Sequence, residues 1–329
     1  MTMTERTIGF KKSKWVDIIN PSNEIVDAII EEYGFHELDR DAIIEPDQTA
    51  RVDTYNHYIF VVLHFPKYDT KTKRYLTNEF NIFLSKDYLI TLRYYSSDTM
   101  DRLHDHYELL AEVDRSTGSK ARSTLGKQPK SRQLSSLKID LRSGNILYEV
   151  IDQMLDKVFR TLDRFGKDLR LMEKSIFSKR SRGGKELIEE MMIKKRNIIT
   201  LKHMINPQIA AIKLLELRTN SMFGDTTEAY FENLDDKVQK IAAEIELHQE
   251  NIESMELTLK TLFDLETNTT IKYLTVFSAF MLPLTLITSF FGMNIEKVPF
   301  NDGLVYGSMI GTLILLAVTV GALTYLRKI

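Results

Sequence analysis

The chain has 329 residues, and its 44 Lys+Arg nearly balance its 46 Asp+Glu, for a formal net charge of −2. This balance argues against a nucleic-acid-binding protein, which usually carries a basic excess. The absence of Cys excludes a disulfide framework, a thiolate metal site and a cysteine nucleophile. Gly126-Lys127 is followed by Gln128 where a phosphate-binding loop needs Ser or Thr, and no nucleophile motif is found. The sequence therefore does not indicate an enzyme.

Residues 1–143 predict a cytoplasmic α/β head. A helix is expected from Ser22 to about Tyr33, and another over residues 100–113. Runs of apolar, β-branched and aromatic residues predict three strands, the last two joined by a hairpin turn at 85–87: residues 58–65, 79–84 and 88–95. His104 and His106 could form a ligand pair, although two surface histidines on a helix are the simpler interpretation.

Residues 115–136 differ from the rest of the head. They contain six Lys or Arg and no acid, and they are rich in Ser, Gly and Thr. This composition favours a solvated loop. The alternative is a basic patch that touches anionic lipid.

Residues 144–270 predict a cytoplasmic helical region that includes a long stalk helix. Apolar residues recur at spacings of three and four through 145–179 and 185–217, with Gly183-Gly184 between them. Residues 225–291 then contain no Gly and a single Pro, Pro283. One helix over this stretch would be about 100 Å long.

Residues 271–329 predict a two-helix transmembrane hairpin. Residues 273–295 and 303–326 form uncharged runs of 23 and 24 residues. At about 1.5 Å per residue, each run is long enough for a hydrocarbon core of about 30 Å. We expect spans near 271–291 and 304–326. Small residues in the second span favour close helix packing, so we interpret it as an outer, supporting helix.

The charged flanks predict the orientation of this hairpin. Lys260, Lys272, Arg327 and Lys328 lie on the outer sides of the pair of spans, whereas the connecting loop has a net charge of −1. The positive-inside rule then places both termini in the cytoplasm. We expect a multi-pass protein of the cell membrane, with the lipid bilayer as a partner.

Polar residues form one stripe along the first span. Alternating steps of three and four residues place five polar side chains among seven positions: Asn268, Ile271, Thr275, Ser278, Leu282, Thr285 and Ser289. Continued toward the N-terminus, the same stripe passes through these residues: Asp264, Thr261, Leu257, Ser254, Glu250 and Leu247. The stripe could serve helix packing. It could equally line a water-filled pore built from several copies of the chain, because two spans cannot enclose a pore.

The end of the first span resembles the CorA family of divalent-cation channels. Pro283-Leu284-Thr285 is followed, at the end of the span, by Gly292-Met293-Asn294 and then by a short loop and a second span. Members of that family carry a Pro-Leu-Thr element in the first span and close it with Gly-Met-Asn. The resemblance extends to Asn268 and the stalk helix, and it covers most of the chain, weakly before Asn145.

This resemblance implies a funnel-shaped homopentamer that conducts Mg²⁺, with Co²⁺ and Ni²⁺ also passing. It implies that Gly292, Met293 and Asn294 form the selectivity site at the outer mouth. By position, the following residues match the family's pore constrictions and polar rings: Asn268, Ile271, Leu274, Leu282 and Thr285. It also implies that Mg²⁺ bound between cytoplasmic domains keeps the pore closed. No other cofactor is expected.

The residues of the spans are compatible with this chemistry. Mg²⁺ releases its water reluctantly, and a ring of amide oxygens can accept hydrogen bonds from the coordinated water. Neither span contains Asp, Glu, His or Cys, so no transition-metal ligand set lies within the membrane. On the stalk, Asp264 and Glu250 are candidate regulatory metal ligands.

Two other functions stay open. A zinc transporter of the same superfamily would share the architecture and could use proton coupling. A membrane-anchored cytoplasmic enzyme or sensor would instead show a catalytic constellation and no hydrophilic stripe.

Overall fold

The computed structural model describes residues 3–45, 49–115, 141–177, 184–224 and 227–292, together with single residues and short groups between 303 and 317. The chain divides into two compact units, Met1–Met255 and Glu256–Ile329. This division does not test the domain boundaries predicted at 143/144 and 270/271, which stay predictions. The basic segment 116–136 and Gly183 lie outside the described residues.

The first unit contains a six-stranded mixed sheet. Its strands, in chain order, are β1 (Thr4–Gly9), β2 (Lys14–Ile19), β3 (Arg51–Thr54), β4 (Ile59–Asp69), β5 (Arg74–Leu84) and β6 (Tyr88–Arg93). Their order in the sheet is β1-β2-β6-β5-β4-β3. β2 and β6 pair in parallel, with Trp15 opposite Leu89, and all other neighbours pair antiparallel. A parallel pair needs a crossover connection, which the intervening helices and strands supply.

Six helices are described. They are α1 (Asn23–Tyr33), α2 (Glu37–Ile44), α3 (Asp98–Arg115), α4 (Ser143–Phe177), α5 (Gly184–Phe223) and α6 (Glu228–Phe291). The helix predicted after Ser22 is confirmed; Ser22 occupies the N-cap position without a side-chain capping hydrogen bond, and Gly34 is the C-cap in the left-handed conformation (φ 65°). Glycine takes this conformation without the steric cost that a Cβ brings.

One face of the sheet packs against α1 and α2. Alternate residues of a strand point to opposite faces, and the aromatic and β-branched residues on this face form one core. In that core Phe35 stacks on Phe83, with ring centroids 3.9 Å apart. The members from the strands are Val16, Ile18, Tyr58, Phe60, Val62, Phe83, Ile90 and Leu92, and those from the two helices are Val26, Ile29, Ala42 and Ile43.

The opposite face of the sheet contacts α3, α4 and α5. Trp15 is fully buried there, and its ring lies 5.5 Å from that of His104 and 5.7 Å from that of Tyr107 on α3. The Nε1–H of Trp15 donates to the hydroxyl of Thr91, at 3.2 Å. The first unit is therefore a sheet with helices on both faces, one of the stable layered architectures.

The three predicted strands are confirmed, and two of them are longer than expected. β4 continues to Asp69 and β5 begins at Arg74, so that they pair along eleven residues each. The turn predicted at 85–87 is present, and Ser85 N–H donates to the carbonyl of Tyr88, at 2.9 Å. The hairpin places β6 beside β5 and thereby next to β2 in the centre of the sheet.

The N-terminal part of α6 packs on α4 and α5. Lys237 forms ion pairs with Asp152 and Asp156 of α4, the latter at 2.7 Å between Nζ and Oδ1. On the other side, Lys202 of α5 donates to Gln249, at 3.1 Å. These contacts fix the rotation of α6 about its axis within the first unit.

Candidate functional site

α6 has one buried face. Side chains at alternating steps of three and four residues are at least nine-tenths buried: Ile241, Ile245, His248, Ile252, Met255 and Leu259. This is the apolar stripe of an amphipathic helix, and it follows the heptad spacing of a long packed seam.

The polar stripe predicted from the sequence lies on the opposite face. An α-helix turns about 100° per residue, so nine residues amount to two and a half turns. Leu259, which is 6% exposed, precedes Asn268 by nine residues, and Asn268 is exposed. In the first unit the stripe positions Leu247, Glu250 and Ser254 are exposed, whereas beyond Leu259 nearly all described residues of α6 are exposed, on every side of the helix.

The structure exposes nearly every predicted pore-lining or regulatory residue that it describes. Ser278 is half-buried, whereas the following residues are exposed: Glu250, Asp264, Asn268, Ile271, Leu274, Thr275, Leu282, Thr285 and Ser289. Gly292 lies at the C-terminal end of α6, and Met293 and Asn294 lie outside the described residues. Leu282 is 69% exposed, and Tyr273 and Leu286, which lie off the stripe, are each 73% exposed.

The threonines of the stripe direct their hydroxyl hydrogens back to the helix. Thr275 donates to the carbonyl of Ile271 and Thr285 to that of Met281, both at 2.8 Å. Thr261 donates likewise to Leu257, at 2.9 Å. Hydrogen bonds of this type satisfy the donor without leaving the helix. The oxygen lone pairs remain available to accept hydrogen bonds, for instance from water.

Pro283 lies inside α6 without ending it. Proline has no N–H, so the carbonyl of Ala279, four residues earlier, loses its usual helical donor. The helix continues to the region of Gly292, whose N–H donates to the carbonyl of Thr288, at 2.9 Å. A Cβ added at 292 would lie only 3.0 Å from that carbonyl oxygen. The sequence Gly-Met-Asn thus begins at a position where a side chain would be crowded.

His248 is the buried polar member of the packed face. Its Nε2 lies 3.2 Å from the carbonyl oxygen of Leu162 on α4 and 3.3 Å from Oε1 of Glu244. Because a carbonyl can only accept, Nε2 carries the proton in this contact. Nδ1 is buried and has no hydrogen-bond partner within the described part of the chain. The sequence pattern did not reveal this residue, which interrupts an otherwise apolar seam.

Among the described residues, one helix is long and apolar enough to cross a membrane, Glu228–Ser289, and none of its most apolar stretch is buried. A contiguous exposed apolar surface of this kind needs lipid or another protein to cover it. The second predicted span, 304–326, lies largely outside the described residues, although the residues described between 303 and 317 are helical.

The chain is similar to known proteins over most of its length. The Cobalt/magnesium transport protein CorA of Thermotoga maritima is 22% identical over 302 residues, which cover 91% of this chain and 78% of that protein. The complete structure of the CorA magnesium transporter from Methanocaldococcus jannaschii has a TM-score of 0.72 at 17% identity, with 96% of this chain and 92% of that chain covered. The full-length CmaX protein has the same TM-score and identity, with 94% and 88% covered.

These structural likenesses confirm the predicted fold, an α+β domain followed by a long helix. The family model described as CorA-like Mg2+ transporter protein matches residues 10–328, almost the whole chain. The chain therefore belongs to the CorA-like Mg²⁺ transporter family.

Proposed function

We propose that the chain forms a homopentameric channel in the cell membrane that conducts Mg²⁺ into the cytoplasm, with Co²⁺ and Ni²⁺ also passing. Both termini are cytoplasmic, and the first span lines the pore. The membership in a transporter family and the name of the Thermotoga maritima relative, a cobalt/magnesium transport protein, support the choice of ions.

The observation that carries the proposal is the polar stripe on the part of α6 that is long and apolar enough to cross a membrane. Hydrocarbon offers polar side chains no hydrogen-bond partners, so a stripe of them is unfavourable toward lipid. Several copies of the chain that turn their stripes toward one axis would place these side chains around a water-filled centre.

The hydroxyl geometry suits a hydrated cation. With the hydrogens of Thr275 and Thr285 donated to the helix, the outward-facing oxygens can accept hydrogen bonds. Water bound to Mg²⁺ presents hydrogens outward, and the ion gives up that water reluctantly. A ring of Asn294 amide oxygens at the outer mouth would select the hydrated ion in the same way. Weak contacts of this kind let the ion leave again.

Inward flow needs no ATP. A divalent ion crossing a potential of about 100 mV gains about 4.6 kcal/mol, twice the value for a single charge. That energy supports roughly a thousandfold accumulation, since about 1.4 kcal/mol corresponds to a factor of ten. Control must therefore come from gating.

We place the gate control on the stalk. Asp264 and Glu250 are exposed and lie two heptads apart on the stripe, so both belong to the face that meets the other copies. Carboxylates gathered around an axis repel each other unless a cation neutralises them. Bound cytoplasmic Mg²⁺ would hold the helices together and the pore closed, and its loss would let them separate.

Ion uptake into liposomes that contain the purified protein tests this function. Mg²⁺, Co²⁺, Ni²⁺ and Zn²⁺ are each added outside, with an inside-negative potential, in the presence and absence of a pH gradient. We expect Mg²⁺ to enter with the potential alone, and Co²⁺ and Ni²⁺ to follow. Uptake restricted to Zn²⁺ and dependent on the pH gradient would establish the zinc transporter instead. If none of these ions is taken up, the channel hypothesis is wrong and the stripe serves helix packing.

A further inference from the structure

Three residues on one side of α3 bring possible metal ligands together. An imidazole nitrogen of His104 and a carboxylate oxygen from each of Asp105 and Glu108 all lie within 4.8 Å of one another. The spacing explains the cluster, because residues four apart on a helix are neighbours on its surface and the next residue is about 100° away. None of the three belongs to the stripe on α6.

The imidazole is held in place while the carboxylates are free to move. His104 is only 5% exposed, and its ring packs against Trp15. Asp105 and Glu108 are exposed. Because the side chain of His104 is buried, its interpretation as a surface histidine is wrong.

One nitrogen of this ring has no partner. Nε2 of His104 is buried and, like Nε2 of His106 on the same helix, makes no hydrogen bond to any residue that the structure describes, but only His104 has carboxylates within metal-ligand reach there. An unpaired polar atom in a buried position costs free energy, and such atoms call for an explanation. A metal ion that accepts the nitrogen lone pair would provide one.

We propose that His104, Asp105 and Glu108 form a binding site for a divalent cation of intermediate softness, namely Co²⁺, Ni²⁺ or Zn²⁺. One imidazole nitrogen and two carboxylate oxygens suit these ions, with water completing the coordination. Ligand atoms around such an ion lie about 3.4 Å apart in a tetrahedron of about 2.1 Å bonds. The three ligand atoms, which lie within 4.8 Å of one another, can reach this spacing by rotation of the two exposed carboxylates. Mg²⁺ prefers oxygen ligands throughout and binds here more weakly.

The only tryptophan of the chain reports directly on this site. Trp15 is the single Trp, and its ring centroid lies 5.5 Å from that of His104. Co²⁺ has a partly filled d shell and quenches indole fluorescence at short range, whereas Zn²⁺ is d¹⁰ and does not. The experiment uses the full chain, purified in detergent and stripped with a chelator. Co²⁺ is titrated while Trp15 fluorescence is recorded, and Zn²⁺ or Mg²⁺ is then added.

We expect Co²⁺ to quench Trp15, Zn²⁺ to restore the emission, and a hundredfold excess of Mg²⁺ to leave the quenching in place. Glu108→Gln and Asp105→Asn change exposed side chains and should each raise the half-quenching Co²⁺ concentration at least tenfold. Glu112→Gln, one turn further along the same helix, and His106→Gln should behave like the wild type.

Three results would overturn the site: no quenching, unchanged quenching in both carboxylate variants, or a loss of quenching in His106→Gln. The outcome is independent of the proposed channel. Mg²⁺ uptake by Glu108→Gln should equal that of the wild type whether or not Co²⁺ binds. A failure of the channel hypothesis would appear in uptake and not in Trp15 fluorescence.

Discussion

His248 on α6 lies directly against Gly166 on α4, so closely that a Cβ added at position 166 would be 2.8 Å from Cε1 of the imidazole. The Nε2–H of the same ring donates to the carbonyl of Leu162, one turn earlier on α4. This contact determines which face of α6 turns toward the chain's own helices. By the helical period, it also determines which face of α6 stays exposed in the first unit.

Gly166→Ala should destabilise the protein, although alanine is the better helix former by up to about 1 kcal/mol. The added methyl group overlaps the imidazole, and overpacking of this kind costs about 1–3 kcal/mol. Thermal unfolding of the purified protein should show a lower melting temperature. In the double variant with His248→Ala the two effects should not add, because the clash is gone. A stabilised Gly166→Ala would contradict the close packing.

Single cysteines can map the two faces of the first span against a clean background, because the chain contains no Cys. We expect Cys at Thr275, Ser278 or Thr285 to react with small water-soluble thiol reagents when the channel is open. Phe277 lies nine residues after Asn268, half a turn from the stripe, and Cys at Phe277 or Phe280 should react slowly. Equal labelling rates at both sets would mean that the stripe does not line a pore.

Asp264→Asn should weaken the closure of the channel by cytoplasmic Mg²⁺. In a pentamer this position gathers five carboxylates, and two unit charges about 4 Å apart repel by about 4 kcal/mol at an effective dielectric constant of 20. The variant removes that repulsion and with it the need for a neutralising ion. The measurement is channel current against internal Mg²⁺ concentration.

Glu266→Gln is the matched control for this variant, because Glu266 is exposed on the same helix but lies about half a turn away from Asn268. It should leave the half-inhibitory Mg²⁺ concentration unchanged. If Asp264→Asn also leaves it unchanged, Asp264 is not a sensor and control lies elsewhere, between the heads.

Asp39 should make the stability of the head depend on pH. Its carboxylate is fully buried and accepts hydrogen bonds from Tyr55 and Tyr58, at 2.9 and 2.6 Å. Burial raises its pKa in the folded state, only partly offset by these hydrogen bonds. The folded state therefore holds the proton more tightly than the unfolded chain, and this contribution to stability is lost as the pH rises through the raised pKa.

Asp39→Asn removes this titration. Unfolding by denaturant at a series of pH values from 4 to 8 should show that the wild type loses stability, relative to the variant, as the pH rises. The same pH dependence in both proteins would show that Asp39 does not contribute.

The long helices and the main hairpin could be predicted because their patterns are local. Spacing of three and four residues predicted α4 and α5, the long stretch without Gly predicted α6, and the apolar runs around Ser85 predicted β5 and β6. β1, β2 and β3 were not predicted, because each has six residues or fewer and includes charged side chains. β3 has four residues and is a strand only through its pairing with β4.

The stripe could also be predicted, because a period of three and four residues is visible in the sequence whatever lies beside the helix. Which face of α6 is buried in the first unit could not be predicted, since that depends on where α4 and α5 pack. The burial of His104 was missed for the same reason: Trp15 precedes it by 89 residues, and only the fold brings the two rings together. Nor does any local pattern show that Asn197 on α5 donates to the carbonyl of Lys73, at 2.9 Å.

Mg²⁺ uptake by Asn294→Ala tests the central claim most directly, with Asn301→Ala as the matched control in the same loop. The amide of Asn294 is proposed to accept hydrogen bonds from the water around Mg²⁺, and alanine cannot replace it. We predict that Asn294→Ala abolishes uptake into liposomes while the assembly keeps its size in gel filtration, and that Asn301→Ala transports normally. Wild-type Mg²⁺ uptake by Asn294→Ala would contradict the account.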